Sequence, residues 1–366
     1  MPVNAPSFRP VGQPDTTLVD LSPYAFLEPI ARWRAANSGA PRSWRLDAVA
    51  FSHDGLSLFA SAGYLVVEVD LRDGLARHEY LPESGEESHG VDHLLPTADG
   101  RYLLAGLYAP TSAWGDTARW YTSFDRRGGE RFNERDWESN PFIHLDCEDY
   151  LELPTAEQRA LLSADGATFA IDCAGRPHVV DVESGRTLLG RDDAARAGLI
   201  DGAVRALGGT WLVTLDAREG ASVFDWRAGR LVGRAAAFDG DVGALSREQS
   251  RLTLAGDDGA VALATDSFVE IARVSAPRPG LRAVAVTTDA RVVGWADGAQ
   301  GEGGIVPGVA VGPGLYAADL LSGETWEFPS QEPAVTGPIA VSPDGTLLAR
   351  AQGAQVFVSA TGLRAP

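Results

Sequence analysis

The sequence predicts an all-β fold built from repeated four-stranded antiparallel units. The first observation is a turn of the form Ser/Thr-x-Asp-Gly, which follows an apolar stretch at Ser52–Gly55, Thr97–Gly100, Ser163–Gly166 and Ser342–Gly345. An Asp-Gly pair between apolar runs is a hairpin signal, because glycine tolerates positive φ and the Asp side chain hydrogen-bonds its own turn. The second observation is that seven such turns, three of them with weaker residues, recur 40 to 66 residues apart, with markers at Asp54, Asp99, Asp165, Gly209, Gln249, Asp289 and Asp344. Periods near 40 residues indicate the blades of a seven-bladed β-propeller.

A second landmark within each repeat gives the order of the strands. An apolar run ends in a polar residue sixteen residues after the marker in four repeats, at Asp70, Asp181, Asp225 and Thr265. In the second and sixth repeats the landmark comes later, at Asp125 and Asp319, which indicates insertions. A further turn usually follows it, so each repeat is predicted to run strand A, tight turn, strand B, connection, strand C, tight turn and strand D.

This pattern resembles the WD-repeat and related propeller families. The resemblance covers residues 44 to 366 and rests on the Ser-Pro-Asp-Gly-like turn and on the Asp and Gly residues that close strand C. It concerns the architecture and indicates no single propeller family.

Residues 1–43 do not fit the repeat and are predicted to belong to the same single domain as the propeller of residues 44–366. Residues 16–21 are typical of a strand, and Tyr24 to Ala36 of a short helix with apolar residues at helical spacing. The last repeat stops soon after its strand C, and an open sheet edge is a liability. We therefore expect the N-terminal strand to pair with this strand C near Gln355–Val358 and to close the ring.

The composition favours an acidic, monomeric, cytoplasmic protein that binds neither nucleic acid nor a membrane. The 366-residue chain has a formal net charge of −19, and all 31 basic residues are arginine. A nucleic-acid surface needs a basic stripe, and a membrane span needs a long apolar window, and we find neither pattern. The absence of lysine is typical of coding bias, with selection against amine modification as the alternative. Cys147 and Cys173 are expected to be free thiols, and the N-terminus shows no secretory signal.

Three insertions are predicted to carry the function. They are Pro110–Ala118, Arg126–Thr155 and Asp297–Gly314. The A–B and C–D turns of a blade fall on one face of a propeller, and the B–C loops and D–A connections fall on the other. We place all three insertions on the second face, and loops on a rigid scaffold often carry binding residues.

The candidate partner-binding residues lie within these insertions. They are Trp114, Arg135, Trp137, Phe142, His144 and Tyr150. Aromatic residues and arginine dominate the energetics of protein interfaces, although core packing is an alternative role for the tryptophans.

The sequence predicts no catalytic residue, no cofactor and no metal site. Two clusters combine His and carboxylate residues, His144-Asp146-Glu148 and His89-Asp92-His93. The first alternates as on the solvent side of an outer strand, and the second is expected to hydrogen-bond a turn. Nucleophile-elbow, phosphate-loop and His-Glu-x-x-His motifs are missing.

The predicted function is a non-enzymatic scaffold that binds a protein or peptide partner through the long-loop face. The alternative is a hydrolase or metal-dependent lactonase with its site at the channel mouth of that face. Carboxylates around a divalent ion would indicate the enzyme, whereas an exposed aromatic patch would indicate the scaffold. Fold alone does not decide between the two classes.

Overall fold

The computed structural model describes residues 8–10, 16–27, 30–32, 46–81, 90–110, 117–128, 159–173, 176–190, 203–216, 220–235, 242–276, 281–287, 289–297, 309–311, 315–323, 325–328 and 336–360. Their regular secondary structure is almost entirely β-strand. The first thirteen strands are β1 (Phe8–Pro10), β2 (Thr16–Asp20), β3 (Ala48–Phe51), β4 (Ser57–Ala62), β5 (Leu65–Asp70), β6 (Ala76–Tyr80), β7 (Gly90–Pro96), β8 (Tyr102–Pro110), β9 (Thr117–Asp125), β10 (Arg159–Leu162), β11 (Thr168–Cys173), β12 (Arg176–Asp181) and β13 (Thr187–Leu189).

Sixteen further strands follow in the described residues, and short 3-10 helices cover Ser22–Phe26 and Arg126–Gly128. The strands are β14 (Ala203–Leu207), β15 (Trp211–Asp216), β16 (Gly220–Asp225), β17 (Arg230–Arg234), β18 (Val242–Leu245), β19 (Arg251–Gly256), β20 (Gly259–Ala264), β21 (Glu270–Ser275), β22 (Leu281–Val286), β23 (Val292–Asp297), β24 (Val309–Val311), β25 (Leu315–Asp319), β26 (Thr325–Phe328), β27 (Thr336–Val341), β28 (Leu347–Gln352) and β29 (Gln355–Ala360).

The strands of the described residues form seven antiparallel sheets. Five sheets have four strands, in the orders β3-β4-β5-β6, β10-β11-β12-β13, β14-β15-β16-β17, β18-β19-β20-β21 and β22-β23-β25-β26. One sheet has three strands, β7-β8-β9, and one has six, β1-β2-β29-β28-β27-β24. Apart from the skipped β24, consecutive strands are neighbours in the four-stranded sheets, as the predicted A-to-D order requires.

The chain divides into two compact units. The first contains Met1–Leu151, Val306–Val311 and Pro333–Pro366, and the second contains Glu152–Ile305 and Gly312–Glu332. In the first unit, the sheets β3–β6 and β7–β9 share a core of residues such as Phe59, Val91 and Phe124. In the second unit, the sheets β14–β17 and β18–β21 share a core that includes Val223 and Leu252. These sheets therefore bury a face against their neighbour in sequence.

The N-terminal strand β2 pairs with β29, the last strand of the described residues, over the expected segment. Thr16 of β2 lies opposite Ser359 of β29, and Asp20 lies opposite Gln355. Val19 of β2 is fully buried in the core that also contains Val356. The structure adds a strand that the sequence did not predict, because β1 pairs with the outer side of β2.

Two features of local structure go beyond the predictions. The short helix predicted after β2 begins as a 3-10 helix, Ser22–Phe26, and residues 30–32 are helical. The insertion in the sixth repeat contributes the strand β24, which the sequence did not predict. This strand adds to the inner strand β27, with Val309 opposite Pro338.

Candidate functional site

All six candidate partner-binding residues lie outside the described residues. They are Trp114, Arg135, Trp137, Phe142, His144 and Tyr150. The same is true of His89 and of the cluster from His144 to Glu148. The described residues include Pro110, Arg126 and Asp297, where the three insertions begin, and the turns around them. The candidate site is therefore described at these positions.

The A–B turns are held by a repeated hydrogen-bond pattern. In the first repeat, Ser52 Oγ donates to Asp54 Oδ1 at 2.6 Å, and the same Asp54 atom accepts the Leu56 amide at 3.0 Å. The Ser57 amide donates to Ser52 Oγ at 2.8 Å, and Gly55 has a φ of +69°. The same hydroxyl-to-carboxylate bond recurs at Thr97–Asp99, Ser163–Asp165, Thr287–Asp289 and Ser342–Asp344. These Asp residues serve the turn structure, as the sequence predicted.

The second landmark also has a structural role, at the turn between strands C and D. Asp70 Oδ1 accepts the Arg72 amide at 2.9 Å, and Gly74 follows with a φ of +71°. Asp319 repeats the arrangement by accepting the Leu321 amide at 2.9 Å before Gly323 at +71°. The C–D turns of the first and sixth repeats therefore also combine an Asp cap with a glycine in the left-handed region.

The longest insertion starts at Arg126, which is anchored to the neighbouring sheet by a buried ion pair. Arg126 Nη2 donates to Glu68 Oε1 on β5 at 2.6 Å, and the Tyr80 hydroxyl donates to Glu68 Oε2 at 2.7 Å. The Arg126 guanidinium also lies over the Phe59 ring, 5.0 Å from its centroid. The side chains of Glu68 and Arg126 are only 4% and 16% exposed. We call Glu68, Tyr80 and Arg126 the insertion anchor.

The anchor keeps Glu68 ionised in spite of its burial. Burial alone would raise the pKa of Glu68, but the hydrogen bond and charge of Arg126, with the Tyr80 hydroxyl, hold this pKa below its usual value. Burial and the adjacent Glu68 charge raise the pKa of Tyr80, so its phenol stays protonated as a donor. A buried charge is stable only when it is paired in this way.

The contacts of Arg126 show at which end of its sheet the longest insertion begins. The Arg126 amide donates to the Arg101 carbonyl at 2.8 Å, and Arg126 Nη1 donates to the Gly100 carbonyl at 2.8 Å. Because Gly100 belongs to the A–B turn of the second repeat, the insertion leaves β9 at the turn end of the sheet. The short insertion between β8 and β9 leaves the sheet at the opposite end, as predicted.

Asp92 and His93, which the sequence predicts to hydrogen-bond a turn, lie on β7, the strand A of the second repeat. His93 Nδ1 and the Tyr121 hydroxyl are 3.1 Å apart, and the two rings are stacked. Asp92 Oδ1 lies 3.8 Å from His93 Nδ1. Gly106 of β8 gives these rings room, since a Cβ there would be 2.8 Å from Tyr121. His93 and Tyr121 therefore pack against each other within the sheet β7-β8-β9.

The fourth and fifth repeats replace the Asp-Gly turn by a contact between neighbours. Gln249 takes the position of Gly55, with a φ of +54° and its amide donating to the Ser246 carbonyl, so the marker in this repeat is Glu248 rather than Gln249. The fourth turn is shorter, because the Gly208 amide donates to the Trp211 carbonyl. Gln249 Oε1 accepts the amides of Thr210 and Trp211 at 3.1 and 3.2 Å, and the Thr210 hydroxyl at 3.1 Å.

Phe268 makes a second unusual turn in the fifth repeat. Its amide donates to the Ala264 carbonyl at 2.7 Å, the bond that Gly74 makes to Asp70 in the first repeat. Phe268 has a φ of +54°, and its ring lies on Gly233 of β17, where an added Cβ would be 2.2 Å from Phe268 Cε2. The sequence does not indicate this contact, because Phe is not typical of turns.

Two features are absent from the described residues. No helix in these ranges is long and apolar enough to span a bilayer. Within the same ranges, no group of three or more His, Cys, Asp or Glu side chains is arranged to hold a metal ion.

Comparison with known proteins shows the fold. The chain is similar to the crystal structure of the Cps50 (Swd1) β-propeller domain of Myceliophteria thermophila, with a TM-score of 0.57 and 16% sequence identity. The match covers 88% of this chain and 98% of that one. No family model and no curated protein matches the sequence. The chain therefore has the all-β fold of a WD-repeat-like propeller.

Proposed function

We propose that this chain is a non-enzymatic, seven-bladed propeller scaffold that binds a protein or peptide partner through its long insertions. In this proposal β2 closes the ring, and the insertions Pro110–Ala118, Arg126–Thr155 and Asp297–Gly314 carry the partner-binding residues. The propeller fold is compatible with a role in protein interactions, although function belongs to the site and not to the fold.

The insertion anchor is the observation that carries the proposal. A binding loop needs a rigid base, because ordering a loop on binding costs free energy. Arg126 provides such a base, since it joins the start of the insertion to Glu68, to the Gly100 carbonyl and to the Phe59 ring. Arg135 and Trp137 follow Arg126 by nine and eleven residues, and Arg and Trp are the residue types that dominate interface energetics.

The starting position of the insertion refines the expected surface. Because Arg126 lies at the turn end of its sheet, Arg135 and Trp137 are proposed to act near this end. The later residues Phe142, His144 and Tyr150 precede β10, whose first residue lies at the end of its sheet opposite the Ser163–Gly166 turn. The insertion is therefore proposed to offer binding residues along the outer side as well as on one face.

A pull-down with quantitative mass spectrometry tests the proposal. The full chain is compared with an Arg135→Ala, Trp137→Ala double variant. The matched control is Arg186→Ala with Leu321→Ala, which removes an exposed arginine and an exposed apolar side chain elsewhere. We expect at least one specific partner to be lost with the insertion variant and retained with the control, because truncation of hot-spot residues costs about 2 kcal/mol or more.

Two outcomes would contradict the scaffold proposal. One is equal recovery of every captured protein by wild type and the insertion variant. The other is metal-dependent hydrolysis of lactones or esters by the purified chain, which would favour the alternative of a hydrolase at the channel mouth. Thermal unfolding of each variant shows whether a loss of binding comes from misfolding.

A further inference from the structure

Two neighbouring outer strands of the second unit expose aliphatic side chains. Leu231 and Val232 on β17 are 43% and 37% exposed, and Val269 and Ile271 at β21 are 62% and 50% exposed. Single exposed apolar residues are normal, but contiguous ones mark interaction sites. We call Leu231, Val232, Phe268, Val269 and Ile271 the rim patch.

Phe268 forms a contact between the two strands that carry the rim patch. Its ring lies on Gly233 of β17, next in sequence to Val232, while its chain neighbour Val269 leads into β21. The φ of +54° at Phe268 is a conformation that a bulky residue rarely adopts. Such outliers cluster at functional sites, where the surrounding structure holds them.

Comparison of equivalent positions shows that the fold does not require aliphatic residues there. Four outer strands in the described residues have a β-bulge, and the bulged residue is Arg77 in β6, Leu188 in β13, Val232 in β17 and Ile271 in β21. Leu188 is partly buried against the core of its own sheet. Arg77 forms ion pairs with Asp70 and Asp73. The first sheet therefore fills this position with a solvated, paired charge, whereas the fourth and fifth repeats expose aliphatic side chains.

The charges beside the patch indicate the partner's chemistry. Arg227, Arg230 and Arg234 are all exposed on and before β17, where the described residues 220–235 contain one carboxylate, Asp225, and the exposed Asp266 lies two residues before Phe268. The chain as a whole has a formal net charge of −19. On β21, Arg273 is paired with Glu270 at 2.7 Å. A local excess of arginine beside an apolar surface is complementary to an apolar segment with acidic flanks. A second copy of this chain that docks its own rim patch here fits less well, because the arginines of the two patches would then face each other.

The bulges indicate the partner's secondary structure. An added strand needs a regular backbone edge, and the bulge at Val232 interrupts that edge in β17. The apolar side chains also extend across two strands, which suits the apolar stripe of a helix better than a single extended segment. We propose that the rim patch is a docking surface for an acidic amphipathic helix of a partner protein.

Fluorescence anisotropy with designed helical peptides tests this proposal on the full chain. The probe is a labelled peptide with leucine at helical spacing and glutamate on both flanks, and its counterpart has lysine in place of glutamate. The first variant, Val232→Arg with Ile271→Arg, introduces the residue type that β6 carries at the same position. The second, Val232→Ser with Ile271→Ser, removes the aliphatic side chains without adding charge. The control is Leu56→Arg, at an exposed leucine in the first unit.

We expect saturable binding of the glutamate peptide by wild type and by the control, and binding weaker by about tenfold or more in both double variants. Arg230→Glu keeps every aliphatic side chain and is also expected to weaken binding, so it serves as the test if the double variants unfold.

The proposal is overturned if wild type does not bind the glutamate peptide or binds the lysine peptide equally well. It is also overturned if sedimentation reveals a dimer that the double variants abolish, since a second copy would then cover the patch. The insertion variant of the preceding section leaves this surface intact, so the two proposals can fail independently.

Discussion

Two pairs of neighbouring sheets, one pair in each compact unit, are joined by side-chain contacts of different kinds. In the first unit, the sheets β3–β6 and β7–β9 are joined by the buried ion pair of Glu68 and Arg126 with the Tyr80 hydroxyl. In the second unit, the sheets β14–β17 and β18–β21 are joined by two uncharged side chains, Gln249 and Phe268. Repeats with the same strand order are therefore held by a titratable contact in one place and by a neutral one in another.

The two kinds of contact also have different free-energy costs. The ion pair requires desolvation of two charges, which only good geometry offsets. Gln249 and Phe268 instead occupy the left-handed region, where a residue other than glycine costs about 1–3 kcal/mol. At Gln249 this strain is opposed by three hydrogen bonds to Oε1, each worth about 1 kcal/mol. At Phe268 the backbone strain is opposed by the packing of its ring on Gly233 and on the core that the two sheets share.

The largest expected effect follows from removing one partner of the ion pair. Arg126→Met leaves Glu68 buried without its counter-charge and should lower the free energy of unfolding by about 3–5 kcal/mol. Denaturant unfolding of the full chain measures this change. The matched control Arg127→Met alters the adjacent exposed arginine and should change stability by less than about 0.5 kcal/mol. Equal losses in the two variants would show that the Glu68 contact contributes nothing.

A smaller effect is expected from overpacking the neutral contact. Gly233→Val places a side chain against the Phe268 ring, since even a Cβ would lie 2.2 Å from Cε2, and should cost about 1–3 kcal/mol. Phe268→Ala should rescue part of this loss, so the effects of the two substitutions should not add in a double-mutant cycle measured by thermal unfolding. Additive losses would mean that the ring does not restrict Gly233.

The smallest effect is a difference in pH dependence between the two contacts. The pKa of Glu68 is lowered in the folded chain from its usual value of 4.5, so its ionised form stabilises the fold above about pH 4.5. This contribution is lost as the pH falls through the lowered value. The stability difference between wild type and Arg126→Met should therefore shrink in acid, while the difference between wild type and Gln249→Ala should stay constant. Unfolding curves measured over a pH series give both stability differences. If the two differences changed with pH in the same way, Glu68 would not be the titrating group of the ion pair.

The local signals of the sequence predicted the repeated sheets well. Ser52, Asp54 and Gly55 carry their own turn geometry, so their pattern could be recognised without tertiary information. The pairing of residues 16–20 with β29 also followed from counting strands in the last repeat. Both predictions depend only on short sequence segments and on the order in which these segments follow one another along the chain.

The contacts between sheets could not be predicted in the same way. Glu68 and Arg126 are separated by 58 positions, and no short motif connects them. One signal was available, because a glutamate within the apolar run Val66–Val69 needs a buried partner. Gln249 and Phe268 gave no signal, since their positive φ values are imposed by the neighbouring sheet and not by their own residue type.

The pairing of β2 with β29 has a mechanical consequence. Thr16 lies opposite Ser359 at one end of this antiparallel pair, and Asp20 lies opposite Gln355 at the other. Force applied between Thr16 and Ser359 acts along the inter-strand hydrogen bonds, which lie perpendicular to the strands. The residue pairs are then loaded one after another, so the two strands separate like a zipper, beginning at Thr16. Force applied between Thr16 and Gln355 instead acts along the strands and loads all the pairs together, so separation in that direction requires a larger force.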